Sequence, residues 1–204
     1  MMKLYSQIVF PRLLDWTMAG SPFSAYRQAL LAEVQGQVLE IGFGTGLNLA
    51  YYPPTVQQLT VLDVNPGMSR LAQRRIQAST IEIHSQTLDA ETLPMADEQF
   101  DSVVSTWTLC SVRDVEQALQ EIHRVLKPDG RFFFIEHGLS NEPTVQVWQN
   151  RLTPLQKIIA EGCHLNRNIG KLVEQQFKLL TLKKFYIEQL PRIGGYMYQG
   201  VATK

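Results

Sequence analysis

The sequence predicts an α/β fold with a seven-stranded, mostly parallel sheet between two layers of helices and an antiparallel strand at one edge. Short apolar runs typical of buried parallel strands alternate with segments of helical period over residues 36–137. The first run, Val38–Ile41, leads directly into a loop with a glycine at every second position. Two strand-like runs at 178–187 and 196–203 lie close together, which implies a hairpin and hence an antiparallel strand.

Residues 1–35 are predicted to form an N-terminal helical cap on a single domain of residues 1–204. Apolar residues at helical spacing, among them Leu14 and Trp16, favour an amphipathic helix that Pro11 breaks or restarts. A second helix is predicted near Ser21–Pro22, where serine can cap the helix and proline fits its first turn. Packing against a sheet edge is the favoured interpretation of the cap. The alternatives are a lid over a substrate and a contact with a membrane surface.

The loop Gly42–Gly46 is predicted to bind a nucleoside-like ligand. Glycine admits positive φ and lets a ligand approach the backbone, and the following helix offers amide donors at its N-terminus. The dinucleotide fingerprint places its third glycine one residue later, so the spacing argues against NAD. The next strand ends at Asp63, seventeen residues after Gly46, near the roughly 20 residues expected for an acid that binds a ribose diol. This order of features predicts a Rossmann-like, doubly wound sheet with Asp63 on the ribose.

The other elements follow in alternation along the chain. Pro53 and Pro54 stop the short helix after the loop, because neither can continue it. Further helices are predicted over 66–78, 113–126, 145–159 and 169–175, and further strands over 81–83, 100–105 and 131–136. Ligands of open α/β sheets bind beyond the carboxyl ends of the strands. The segments that begin at Thr106 and at Glu136 are therefore predicted to line the pocket.

Charge and cysteine content exclude several classes of function. Nineteen Lys and Arg balance nineteen Asp and Glu, so no basic field attracts nucleic acid. Cys110 and Cys163 are too few and too far apart in the sequence for a disulfide framework or a zinc-ligand cluster, and no metal is predicted. No apolar run approaches the roughly 18 residues of a membrane span, and no secretory signal is recognised. We expect a cytoplasmic protein with no nucleic-acid partner and no integral membrane segment.

Five blocks resemble the class I S-adenosylmethionine-dependent methyltransferases with a methyltransferase type 11 domain. They are Leu39–Gly46, Asp63–Met68, Asp89–Pro94, Phe100–Val104 and Glu121–Gly130, in the family's order. The resemblance implies a three-layer α/β/α fold and S-adenosyl-L-methionine as the cofactor.

The same resemblance implies roles for individual residues. The three loop glycines would admit the methionine end of the cofactor, and Glu40 would bind its ammonium. Asp89 would accept a hydrogen bond from the adenine amino group, with the amide of Ala90 at the ring and Met68 beside it. The complete predicted cofactor-binding set is Glu40, Gly42, Phe43, Gly44, Gly46, Asp63, Val64, Met68, Asp89, Ala90 and Thr106.

A narrower resemblance points to the acceptor. Thr108–Val112, Phe134–His137, Gly162–Leu165 and the closing strand Tyr196–Lys204 are similar to the methyltransferase-like thiol methyltransferases and their bacterial relatives. This implies methylation of a small molecule, with a thiol favoured. A thiol with a pKa near 8.5 needs little help from a base; His137 and His164 are the candidates to take its proton.

Three alternatives to this function are kept. The first is a peripheral methyltransferase of lipids or quinones, for which membrane contact by the N-terminal helices would be diagnostic. The second is a protein that binds S-adenosylmethionine without transferring methyl groups, since binding does not prove turnover. The third is nicotinamide-dependent oxidoreduction, which NADH binding without affinity for S-adenosylmethionine would establish.

Overall fold

The computed structural model describes residues 4–204, which form a seven-stranded sheet with helices on both faces. Residues 1–3 of the predicted cap lie outside the described residues. The strands are β1 (Val38–Ile41), β2 (Gln58–Leu62), β3 (Glu82–Gln86), β4 (Phe100–Thr106), β5 (Leu126–His137), β6 (Lys178–Tyr186) and β7 (Tyr196–Thr203). The helices are α1 (Phe10–Ala19), α2 (Phe23–Leu31), α3 (Pro66–Ala78), α4 (Val115–Val125), α5 (Pro143–Ile159) and α6 (Ile169–Glu174). A π-helical turn, Tyr5–Val9, precedes α1, and a 3₁₀ turn, Leu47–Ala50, follows the glycine loop.

The strand order is β3-β2-β1-β4-β5-β7-β6. Strands β1 to β5 pair in parallel, whereas β7 runs antiparallel to both of its neighbours, β5 and β6. The predicted α/β fold with a mostly parallel sheet and an antiparallel strand pair at one edge is confirmed. Since β1 pairs with β2 on one side and β4 on the other, the strand order reverses at β1, and a crevice opens there at the carboxyl ends.

Alternating side chains of the central strands supply the core on both faces of the sheet. Phe132 and Phe134 of β5 pack on one face with Ile122 of α4. Phe133 and Ile135 of the same strand point to the other face, where α2 and α3 cover them. All of these side chains are fully buried. Such two-sided burial is expected of parallel strands with helices on both sides, and it gives the three layers.

Two details of the predicted boundaries are wrong. Ser21 does not cap α2: Pro22 occupies the capping position and no side chain bonds the free amides. Strand β5 begins at Leu126, directly after α4, instead of at Arg131, because Leu126 already pairs with Phe100 of β4. None of the helices in residues 4–204 combines the length and the apolar character that crossing a membrane requires.

Candidate functional site

A cavity of about 590 Å³ lies at the carboxyl edge of the sheet, where the strand order reverses. This volume is typical of pockets for small molecules and cofactors, which measure about 300–1,000 Å³. The loops after β1, β2, β3, β4 and β5, the helix α1 and the end of α5 contribute its walls. Nine of the eleven residues predicted to bind the cofactor line it; Glu40 and Gly46 do not.

The glycine loop follows β1 and keeps its backbone open to the cavity. Gly42, Gly44 and Gly46 all have positive φ, at 72°, 58° and 79°. A Cβ on Gly42 would lie 1.9 Å from Thr108 Oγ1, so the loop passes too close to the segment after β4 for any side chain. A Cβ on Gly44 would meet only the Gly42 carbonyl oxygen, at 3.9 Å. The loop therefore needs glycine at Gly42 for packing and leaves free space at Gly44.

The helix predicted after the loop is only a single 3₁₀ turn, Leu47–Ala50. It ends before Pro53 and Pro54, as those prolines require. A turn of this length has little macrodipole, because that dipole is the sum of many aligned peptides. The expected helix N-terminus therefore contributes little here, and the loop amides and neighbouring side chains are the donors and acceptors that remain.

Asp63, at the end of β2, joins the two loops that flank the crevice. Its Oδ2 accepts a hydrogen bond from Gly44 N and its Oδ1 one from Asn65 N, each at 2.7 Å. Burial raises the pKa of Asp63, and the two backbone donors partly offset that rise. Each carboxylate oxygen has a second lone pair, so Asp63 retains the capacity to accept from a diol.

Glu40 lies behind the cavity wall. Its Oε1 accepts from Asn48 Nδ2 at 2.8 Å and its Oε2 from Tyr52 Oη at 2.7 Å. Asn48 lines the cavity, also donates to Thr106 Oγ1 at 3.0 Å, and has a buried Oδ1 with no hydrogen-bond partner in residues 4–204. Sequence reasoning missed Asn48, although its place two residues after Gly46 was a signal. The ammonium-binding role of Glu40 stays a prediction. Asn48 lies between Glu40 and the cavity.

Replacing Glu40 by glutamine is expected to weaken the pH dependence of stability. Burial raises the pKa of Glu40 from 4.5 to about 7, so folding takes up a proton between these values. The stabilisation from that proton is complete below pH 4.5 and is lost as the pH rises through about 7. Between pH 5 and 8, the free energy of unfolding of the wild type should fall relative to Glu40→Gln, by at most about 1.4 kcal/mol per pH unit.

Denaturant unfolding at a series of pH values measures this difference. Glu174→Gln, an exposed glutamate at the end of α6, serves as the matched control and should follow the wild type. Parallel curves for Glu40→Gln and the wild type would contradict the assignment of a proton to Glu40.

The side of the cavity formed after β2 and β3 holds the residues predicted for adenine. Val64, Met68, Asp89 and Ala90 all line this side. Met68 and Ala90 are buried, whereas Asp89 is exposed and accepts from Glu91 N at 3.1 Å. The wall is thus largely apolar, with the carboxylates of Asp89 and Glu91 also lining the cavity.

The N-terminal cap covers the cavity as well as the sheet. Phe10, Leu14 and Met18 of α1 line it. Asp15 of the same helix accepts from Arg75 Nη1 at 2.8 Å, and Asn65 Nδ2 donates to the Ser6 carbonyl at 3.0 Å. These contacts fix the cap to helix α3 and to the loop after β2.

Glu136 organises the segment after β4. The sequence predicts only that the segment beginning at Glu136 lines the pocket, and His137 of that segment does. Glu136 is fully buried and accepts from the backbone amides of Thr108 and Leu109, each at 2.9 Å, and of Cys110 at 3.3 Å. Burial raises the pKa of Glu136, and the amide donors oppose that rise. The carboxylate therefore holds the turn after β4 against β5. Its signal in the sequence was a carboxylate in an otherwise apolar strand.

The two candidate histidines occupy different places. His137 lines the cavity, and its Nε2 lies 2.8 Å from Cys163 Sγ. Burial lowers the pKa of His137, but the contacts with Cys163 and Glu136 outweigh it, and the net pKa is raised. His164 is not a lining residue; its Nδ1 lies 3.2 Å from the Cys110 carbonyl oxygen, and burial lowers its pKa.

The cysteines, far apart in the sequence, come together at His137. Ligand atoms of Cys110, His137 and Cys163 all lie within 4.8 Å of one another, and all three residues line the cavity. The expectation that the cysteines lie too far apart to share a site is therefore wrong. Chain separation is a poor guide here, because three different elements end at this edge of the sheet.

Known proteins share both the sequence pattern and the fold. A family model described as a methyltransferase domain matches residues 39–134. The thiol S-methyltransferase TMT1B of Rattus norvegicus is 37% identical over 151 residues, which cover 72% of this chain and 62% of that relative. The ubiquinone/menaquinone biosynthesis C-methyltransferase UbiE of Geotalea daltonii is 34% identical over 106 residues, 50% of this chain and 45% of that relative.

Solved structures show the shared fold. A crystal structure of an S-adenosylmethionine-dependent methyltransferase from Thermotoga maritima matches with a TM-score of 0.69 and 19% identity, and covers 100% of both chains. Against the thiol methyltransferases, by contrast, the chain spans about 62% of the relative's length.

Proposed function

We propose that this chain, which belongs to the class I methyltransferase family, transfers a methyl group from S-adenosylmethionine to a small-molecule acceptor that carries a thiol. One observation supports this function above the others. The glycine loop and Asp63 line the same cavity as His137 and the two cysteine thiols. A cofactor on the glycine loop and an acceptor thiol beside His137, here called the acceptor end, would meet inside it.

The residues of the cavity fit S-adenosylmethionine. Asp63 offers acceptor oxygens for a ribose diol, and Gly44 leaves open space beside it. The buried, unpartnered Oδ1 of Asn48 would accept from the ammonium of the methionine end, with Glu40 behind it to supply negative charge. Adenine would lie against Met68 and Ala90.

When bound, S-adenosylmethionine supplies a methyl group on a positively charged sulfur, which an acceptor displaces in line. The chain's part is to align the two molecules, and alignment alone contributes up to roughly 7–11 kcal/mol. The cap residues Phe10, Leu14 and Met18 give the cavity an apolar wall. His137 is placed to assist the loss of a thiol's proton at the acceptor end, since its ring already contacts a sulfur there.

Replacing His137 by glutamine is expected to lower thiol methylation about thirtyfold at pH 7 and to have little effect above about pH 9. A thiol with a pKa of about 8.5 is only about 3% thiolate at pH 7, so losing the group that activates it lowers the rate by at most about thirtyfold. At alkaline pH the thiol ionises without such a group, and the rate recovers. The measurement is the pH profile of kcat/KM with a small alkyl thiol.

Two further variants complete this test. His84→Gln, an exposed histidine on β3, should reproduce the wild-type profile. His164→Gln should lose less than His137→Gln, since His164 does not line the cavity and its ring lies against the Cys110 carbonyl oxygen. A loss in His137→Gln that is the same at every pH would contradict a role in thiol activation.

A quinone or lipid acceptor is the second candidate. Large apolar side chains are exposed on α1 and on α5, among them Trp16 at 79% and Ile158 at 72%. Such a surface suits contact with a membrane, where quinones and lipids reside. Labelled S-adenosylmethionine offered with an alkyl thiol, a quinol and phosphatidylethanolamine vesicles separates the candidates. We expect label on the thiol; label on the quinol or lipid alone would replace the thiol in this proposal.

A further inference from the structure

Three soft or borderline metal ligands converge at the acceptor end of the cavity. Cys110 follows β4, His137 ends β5 and Cys163 follows α5. Their ligand atoms lie within 4.8 Å of one another, and the two cysteines are the chain's full complement. Each of the three residues belongs to a different part of the chain, so the tertiary fold brings them together.

The three residues already contact one another and a few neighbours. Cys110 Sγ lies 3.7 Å from the Trp107 carbonyl oxygen and 3.6 Å from Ser111 Oγ. Cys163 Sγ is 3.7 Å from Gln156 Nε2 and 2.8 Å from His137 Nε2. His137 Nδ1 is buried and has no hydrogen-bond partner in residues 4–204. A histidine nitrogen beside two thiols is a donor set that suits a metal ion.

We infer that Cys110, His137 and Cys163 bind one Zn²⁺ ion, whose fourth position opens to the cavity and takes the acceptor thiolate. This rests on the proposed thiol methylation. Zinc that serves catalysis is commonly held by three protein ligands with one position free, and Cys₂His is one such set. Thiolate and imidazole ligands also favour zinc over magnesium or calcium.

The geometry admits the ion after small movements. With Zn–S of about 2.3 Å and Zn–N of about 2.1 Å, tetrahedral binding separates sulfur from nitrogen by about 3.6 Å and the two sulfurs by about 3.8 Å. The His137–Cys163 pair, at 2.8 Å, would widen. All three separations lie within 4.8 Å in the structure, about one ångström from those values.

Zinc would activate the acceptor without any redox change. On coordination the acceptor thiol releases its proton to water, as metal-bound thiols do. The thiolate sulfur then donates an electron pair to the methyl carbon, forming a C–S bond. The bond from that carbon to the sulfonium sulfur breaks, and its electrons stay on that sulfur. His137 is then a ligand that holds the ion, and its replacement still costs activity at neutral pH and less at alkaline pH.

Metal content tests the site independently of activity. The full chain, purified without chelators and dialysed against Zn²⁺, should hold about one zinc per chain by plasma mass spectrometry. Cys110→Ser, Cys163→Ser and His137→Gln should each lose most of it, whereas His84→Gln should keep it. Circular dichroism and calorimetric binding of S-adenosylmethionine show that each variant is folded. Wild-type protein without bound zinc, or variants that all retain it, would overturn the site.

Cobalt substitution tests the acceptor position. Co²⁺ in place of zinc should show the visible bands of a tetrahedral thiolate site, and a small alkyl thiol should shift them. Bands that the thiol leaves unchanged would overturn the acceptor role. A Cys110–Cys163 disulfide in protein kept under reducing conditions, found by mass mapping, would also overturn the site. Because neither readout needs methyl transfer, failure here is distinguishable from failure of the proposed function.

Discussion

Replacing Gly42 by alanine is expected to abolish measurable binding of S-adenosylmethionine and to destabilise the fold by about 2–5 kcal/mol. The new Cβ would lie 1.9 Å from Thr108 Oγ1 and 2.3 Å from its Cγ2. Rotation cannot relieve this clash, because Thr108 Cβ itself lies only 2.6 Å away. The positive φ of 72° adds strain for any residue with a side chain. Either the loop or the segment after β4 must move, and both form walls of the cavity.

Gly44→Ala separates the effect on the cofactor from the effect on folding. Its Cβ meets no protein atom closer than 3.9 Å, so the fold should lose only the roughly 1–2 kcal/mol of a residue at positive φ. The methyl group would instead occupy space beside Asp63, and affinity for S-adenosylmethionine should fall at least tenfold. Gly20→Ala, where a Cβ meets nothing within 4 Å, is the matched control and should bind as the wild type does.

Calorimetric titration and thermal unfolding, performed on the same samples, measure both quantities. Wild-type affinity in a folded Gly44→Ala variant would contradict the placement of the cofactor along this loop.

Replacing Asp63 by asparagine should weaken binding of S-adenosylmethionine tenfold to a hundredfold. A hydrogen bond to a charged group contributes about 1.5–3 kcal/mol. Each change of about 1.4 kcal/mol in binding free energy corresponds to a factor of ten in the dissociation constant. The side-chain shape is kept, but the amide offers one acceptor oxygen in place of two. One of the bonds from Gly44 N and Asn65 N is then lost as well, so the crevice walls also loosen.

Asp101→Asn provides the control for this change. Asp101 likewise accepts from a backbone amide, Gln37 N at 2.8 Å, and from Lys127 Nζ at 2.8 Å. It lies near the start of β4, at the opposite end of the strands from the cavity. Its replacement should lower stability and leave the dissociation constant of S-adenosylmethionine unchanged. Equal losses of affinity in both variants would show that Asp63 acts through stability alone.

The sequence predicts the fold well because its signals are local. Apolar runs, the glycine spacing and Asp63 each lie within a few residues of the element that they mark, and the sheet forms as they indicate. Local patterns also predict most of the cavity wall on the cofactor side. Where the local signal is ambiguous, as in the serine and proline before α2, the boundary is wrong.

The acceptor end depends on contacts between residues distant in sequence. Sequence proximity suggests that Cys163 belongs with His164, whereas the fold places it against His137, 26 positions earlier. Glu136 and Asn48 act by bonding segments that only the completed sheet brings together: Glu136 accepts from Thr108 N, and Asn48 donates to Thr106 Oγ1. No periodicity reports such contacts, because each depends on where several strands end in space.

Mass spectrometry of the reaction products tests the central claim most directly. The full chain is incubated with S-adenosylmethionine that carries a deuterated methyl group and with a small alkyl thiol, alongside Gly44→Ala. We predict equal amounts of the deuterated methyl thioether and S-adenosylhomocysteine from the wild type, and at least tenfold less of both from the variant at limiting cofactor. Cofactor binding without any thioether, or thioether formed equally by both proteins, would contradict the account.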